Sequence, residues 1–297
     1  MAAMASLLEK RLLDAVRPDG GWGYYAGQPS RLEPTAWAAM ALTAGADAIK
    51  TGVRRSAMMR LVAAWQQASG LLLDPGSGTP NVGFSGLGLL AMDALGVPAT
   101  DPVSGRLHGA VVAAKGIQLQ VENGPIKQNT MIQAWSWIDG TFSWVEPTAW
   151  CLLSLKKFAT RDAAAAARIG DGEAMLADRV CQSGGWNYGN SNAFTQDLRP
   201  YVPTTALGLL AMQDRRSTPA VARSLGWLEQ HALTEPSSMA LSLAAIALTV
   251  YDRPADKVLD ALRLQQEKTA SLDNAHLMAM ALYASTLPVH KARAFRM

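Results

Sequence analysis

Two glutamates open the same five-residue word, Glu33-Pro34-Thr35-Ala36-Trp37 and Glu146-Pro147-Thr148-Ala149-Trp150. Each word runs into an uncharged helical segment, so each carboxyl stands in a first helical turn. An anion is favoured there by the positive end of the helix, and capping is the plainest role for both residues. A carboxyl that is instead crowded or desolvated holds its proton and can act as an acid. Asp139 precedes the second word inside a dense aromatic run of Trp135, Trp137, Phe142, Trp144 and Trp150. Aromatic faces stabilise carbocations, and they also simply fill cores. Their density beside Glu146 marks this run as a candidate cavity wall. Trp37 and Tyr188 complete the candidate substrate-binding set, with Glu146, Glu33 and a helping Asp139 as candidate catalytic residues.

A repeated word of this length points to a fold built from copies of one unit. A second marker agrees: Asp19-Gly20-Gly21-Trp22-Gly23-Tyr24 and Ser183-Gly184-Gly185-Trp186-Asn187-Tyr188 each follow an amphipathic segment. Pro34-Thr35 and Pro203-Thr204 then suit helix starts, because proline at a first helical position loses no needed hydrogen bond. The helices that follow are apolar on every face, as fully buried helices are. Half-exposed segments near 4–16, 55–68, 126–138, 171–182, 219–231 and 255–267 alternate with buried ones near 34–45, 84–95, 147–158, 203–213, 236–250 and 273–286. This reads as an all-α chain, an α/α toroid of about six inner and six outer helices around a central cavity. The stretch 100–125 fits poorly. Its alternating Gly116-Ile117-Gln118-Leu119-Gln120-Val121 and the turn Glu122-Asn123-Gly124-Pro125 predict an irregular or β-hairpin-like insertion. Asp171-Gly172-Glu173 reads as a helix start.

The chain has 297 residues, a net charge of +3 and two cysteines. Interleaved repeats and the lack of a linker argue for one toroid domain over 1–297. The scattered basic pairs Arg54-Arg55 and Arg215-Arg216 form no stripe for nucleic acid. The start meets Glu9-Lys10-Arg11 too early for a signal peptide, and the longest uncharged run, 236–251, is shorter than a membrane span. The expectation is a cytoplasmic protein without a transmembrane segment, with peripheral contact to a bilayer left open.

Gly-Gly-Trp turns joined to Pro-Thr-Ala-Trp helices resemble the prenyltransferase and squalene-cyclase repeat, best over Asp19 to Leu42, Gly140 to Leu155 and Ala177 to Met212. The resemblance implies a stand-alone toroid of terpenoid-cyclase or protein-prenyltransferase type. The acid motif of class II cyclases, Asp-x-Asp-Asp-Thr-Ala, falls on Arg31-Leu32-Glu33-Pro34-Thr35-Ala36 and Trp144-Val145-Glu146-Pro147-Thr148-Ala149. A glutamate stands at the acidic position and the flanking aspartates are missing. Asp273-Asn274-Ala275-His276 resembles the opening of the prenyltransferase zinc-binding repeat, while Val202-Pro203-Thr204-Thr205 stands where the Asp-x-Cys partner is wanted. Asp273 and His276 remain weak metal candidates, short of the three ligands of a catalytic zinc site, and no cofactor is expected. No Asp-Asp-x-x-Asp, Gly-rich phosphate loop or Gly-x-Ser-x-Gly turn occurs. The reading is therefore a terpene-cyclase-like protein that binds an apolar isoprenoid or polyene, with acid-initiated cyclisation as its chemistry. A non-catalytic toroid that binds a hydrophobic ligand or a partner protein is the alternative. An α/α-toroid carbohydrate-active enzyme with a separated carboxylate pair is a more distant one.

Overall fold

The computed structural model describes residues 2–43, 48–120, 127–158, 162–269 and 273–297. Its helices alternate between two layers. The outer layer holds Ala2–Asp14 (α1), Ala48–Trp65 (α3), Pro102–Ala113 (α5), Ala163–Asp178 (α7), Pro219–His231 (α9) and Asp256–Lys268 (α11). The inner layer holds Leu32–Leu42 (α2), Val82–Ala94 (α4), Val145–Lys157 (α6), Val202–Ala211 (α8), Ser238–Val250 (α10) and Ala275–Ser285 (α12). A last short helix, Leu287–His290 (α13), a two-stranded hairpin, Asn192–Ala193 (β1) with Gln196–Asp197 (β2), and a single 3-10 turn, Gln213–Arg215, complete the described elements. Each inner helix packs against the next, and α12 packs back onto α2, so the inner layer closes into a ring. Among the described residues no helix is long and apolar enough to cross a membrane.

The uncharged segments are inner helices because both of their sides are covered: Leu32 and Pro34 to Leu42 in α2 and every residue from Pro147 to Leu155 in α6 are buried. Small residues set the spacing. A Cβ on Gly86 of α4 would lie 2.8 Å from the backbone nitrogen of Cys151 in α6, so that pair approaches as closely as backbones can.

The repeated words serve one hydrogen-bond pattern. The Trp22 N–H donates to Thr35 Oγ1 (2.9 Å), Trp135 to Thr148 (3.3 Å) and Trp186 to Thr205 (3.0 Å), while Leu72 donates to Ser85 (3.0 Å) in a copy without tryptophan. The three indoles point outward, and their Nε1–H groups donate to Leu12, Val111 and Leu176 carbonyls near the ends of α1, α5 and α7, each at 2.7 Å. Gly20 and Gly184 make two of these turns at φ +91° and +92°, where a side chain is strained. Thr205→Val keeps shape but strips the buried Trp186 N–H of its acceptor. It is expected to cost about 1–3 kcal/mol, read as a lower urea midpoint at unchanged slope.

The structure moves three sequence-based boundaries. The third outer helix is Pro102–Ala113, not 126–138: Asp101 caps it, accepting from Val103 and Ser104, and Leu107, Ala110 and Val111 face the core. The insertion lies after this helix, inside the third turn. Gly116 N–H bonds Ala134 O as Arg17 N–H bonds Gly21 O in the first copy, and the chain between makes hairpin-like bonds such as Leu119 N–H to Thr130 O. The expected turn Glu122-Asn123-Gly124-Pro125 lies outside the described residues. Asp171-Gly172-Glu173 is mid-helix, not a start. Gly172 there lets the Trp135 indole approach (a Cβ would sit 2.7 Å from it), and Glu173 pairs with Lys156 and Arg215.

Candidate functional site

Because an outer helix separates every inner pair, all inner helices run the same way and their N-termini ring one mouth. Five of the six starts borrow a bond from the neighbouring copy. Ala275 N–H donates to Tyr24 O, Val82 to Trp137 O and Val145 to Tyr188 O, while Leu32 donates to Asp74 Oδ1 and Val202 to Glu235 Oε1. Orphan helix N–H groups are thereby satisfied and the ring is laced shut. It also places Tyr24, Trp137 and Tyr188, each two residues beyond a turn tryptophan, around the mouth.

Glu33 and Glu146 both face this space, from α2 and α6. The tryptophans one turn below them, Trp37 and Trp150, meet edge-to-face across the lumen at 6.0 Å. Glu33 is held by a 2.5 Å hydrogen bond from the Tyr24 hydroxyl and stands 3.6 Å from His276 Nε2. The burial of Tyr24 and the charge on Glu33 raise the phenol's pKa, so Tyr24 stays a donor. Burial lowers the pKa of His276, against the pull of Glu33, and Nε2 is left without a full hydrogen bond. Arg31 lies over the Tyr24 ring and pairs with Asp74, anchoring this side of the mouth.

Glu146 has no such partners. It lies deep in the molecule while retaining some contact with the mouth, and burial together with the Glu33 charge pushes its pKa up to about 7, partly offset by the Trp150 indole. Two carboxyls from identical words thus sit in unlike surroundings. One is supported by a phenol and an imidazole, while the other keeps its proton to neutrality.

The lumen beneath is not open. Phe295, fully buried, rises from the segment after α13 and packs on Trp37 (5.3 Å), Trp150 (6.2 Å) and Tyr283 (5.2 Å). Its segment is tied down by Tyr283 Oη, which accepts from Ala294 N–H, by Gln213 Nε2 donating to Phe295 O, and by Lys157 Nζ donating to Arg293 O and Arg296 O. Where an open central cavity was expected, the space beneath the mouth is therefore closed by a packed aromatic floor.

The predicted site residues divide accordingly. Glu33, Glu146, Trp37, Trp150 and Tyr188 come together, with Trp144 half-buried beside Tyr188 in a cleft of about 340 Å³. Trp137 joins the rim, edge-to-face with Phe84 at 5.5 Å. Trp135 does not reach the mouth; it pins the third copy, with Arg168 over its outer face at 4.3 Å. Asp139 and Phe142 are exposed on the turn around Gly140 that returns the chain towards α6. Asp273 is exposed, and no three His, Cys, Asp or Glu side chains among the described residues are grouped to hold a metal. Tyr24 and Phe295 were not foreseen. Tyr24 was findable, since it holds the place of Tyr188 in its own copy; nothing in the sequence marked Phe295.

A closed six-membered ring of inner helices with a carboxyl-bearing mouth defines an α/α toroid. No family model matches the sequence, and no curated protein matches it. Solved structures do. A protein from Actinoplanes is 16% identical over 97% of this chain and 98% of that chain, with a TM-score of 0.65. The type II terpene cyclase MstE from Scytonema is 12% identical over 98% of each chain, also at 0.65. A novel alpha-amylase from Clostridium perfringens is 12% identical over 94% of this chain and 97% of that chain, at 0.64. These likenesses show the fold, a terpene cyclase-like helical toroid.

Proposed function

We propose that the mouth is a proton-transfer site acting on an isoprenoid or polyene chain, with Glu146 as acid. The observation that carries this reading is the inequality of the paired carboxyls: environments that push two titratable groups apart separate the roles of acid and base. Glu146 gives its proton to a terminal alkene, the resulting cation is attacked by the next double bond, and a C–H proton is finally lost. The indole faces of Trp37 and Trp150 stabilise the positive charge. Glu33, with neutral His276 beside it, accepts the final proton. The cyclase MstE has also been solved with its substrate geranylgeranyl dihydroxybenzoate, which supports a polyprenyl chain as the trial ligand.

A second reading has its own observation. The cleft beside Glu146 carries Asn187, Asn190 and Arg199 next to the exposed Tyr188, a polar rim with an aromatic platform suited to a sugar. The alpha-amylase likeness agrees with it, and the same carboxyl pair would then cleave a glycosidic bond.

One experiment separates the two. The protein is incubated in D₂O with geranylgeranyl dihydroxybenzoate and, separately, with maltooligosaccharides. One deuterium gained in a cyclised product, lost with Glu146→Gln, is the expected result. Shortened oligosaccharides would move the assignment to glycoside hydrolysis.

A further inference from the structure

The opposite end of the ring carries a cleft of about 890 Å³ where the C-terminal ends of α2, α4, α6 and α12 meet the segment after α13. Its charge is one-sided among the described residues: Arg55, Lys157, Arg293 and Arg296 line it against the carboxylate of Asp93, four cations to one anion. Two of the four have structural work. Lys157 pairs with Asp93 at 3.0 Å and holds the Arg293 and Arg296 carbonyls, while Arg296 bonds Thr249 O and Asp252. Cations near helix C-termini are ordinary, because they answer the negative ends.

Arg55 and Arg293 are not explained that way. Arg55 lies in the middle of α3, and Arg293 lies in the segment beyond α13. Both are exposed, and neither side chain has a carboxylate partner among the described residues. Beside these cations the apolar surface comes from the exposed Val289 and the methylene stems of the arginines, because Met40, Leu95 and Tyr283 behind them are almost fully buried. The volume is in the range of small-molecule sites. Guanidinium groups are suited to phosphate by their planar, forked donors.

We propose that this cleft binds an anionic amphiphile, a phosphate-type headgroup held between Arg55 and Arg293 with a short apolar tail along Val289. The site is separate from the carboxyl mouth, and its test does not need turnover. Calorimetric titration with n-octyl phosphate is compared with inorganic phosphate and with octanol, the two halves of the probe. Octyl phosphate is expected to bind at least tenfold more tightly than either half, with affinity falling as salt rises. The double variant R55A/R293A, both sites exposed, is expected to keep its melting temperature and lose at least tenfold in affinity. Octanol binding as well as octyl phosphate would overturn the proposal, and so would undiminished binding by the double variant. Sedimentation with phosphatidylcholine vesicles containing phosphatidic acid separates the sources. Co-sedimentation lost in the double variant supports a membrane lipid as the ligand, and binding of octyl phosphate alone supports a free amphiphile.

Discussion

Replacing Glu146 by glutamine is expected to abolish proton transfer and, at the same time, to stabilise the fold above neutral pH. A positioned general acid contributes about 10²- to 10⁴-fold to rate, and glutamine cannot supply the proton. The stability effect follows from linkage. The folded pKa of about 7 lies above the ordinary value of 4.5, so between those values the folded protein keeps a proton that the unfolded chain has lost. Stability is full below pH 4.5 on this account, declines as pH rises, and has lost its whole increment above pH 7. The gap corresponds to about 3 kcal/mol. Melting temperatures measured from pH 4 to 9 should therefore fall more steeply for the wild type than for Glu146→Gln, the difference opening through pH 4.5–7. Parallel profiles would mean that Glu146 is ionised in the fold and would remove it as the acid. In the wild type, proton donation should decline above about pH 7 as the acid form is depleted.

Phe295→Ala is expected to be the most damaging single truncation in the lumen, lowering stability by about 3–5 kcal/mol. The phenyl ring is enclosed by Trp37, Trp150 and Tyr283, which project from three different inner helices, α2, α6 and α12. A closed ring of helices collapses poorly around a void, so much of the cavity should persist. Apolar cavities stay dry and accept apolar guests. Toluene should then raise the melting temperature of the variant and leave the wild type unchanged. A small loss of stability with no response to toluene would show that the tryptophans close the gap. The variant also bears on the proposed function, because an opened lumen would admit an apolar chain to Glu146.

The ring was legible from the chain because its determinants are local. An all-apolar helix has nowhere to lie but between two layers, and Thr35, Thr148 and Thr205 recur because each satisfies one turn N–H. The third copy was misread for an equally local reason. Its turn carries Gln133-Ala134 in place of two glycines, since the loop that interrupts it removes the tight bend that needed them. With that marker gone, Trp135 looked like part of a cavity wall and 126–138 like a helix.

By itself, the sequence determined the repeat, the all-α toroid and the placing of Glu33 and Glu146 at inner-helix starts, because periodicity and turn chemistry act over a few residues. Only the tertiary structure decided that these two carboxyls share one mouth and that they differ. A pKa depends on what other segments bring: Tyr24 and His276 come to Glu33, whereas Glu146 receives burial and its neighbour's charge. The floor was decided in the same way. Phe295 lies far along the chain from Trp37 and Trp150, and closure of the ring is what brings the three aromatic rings together.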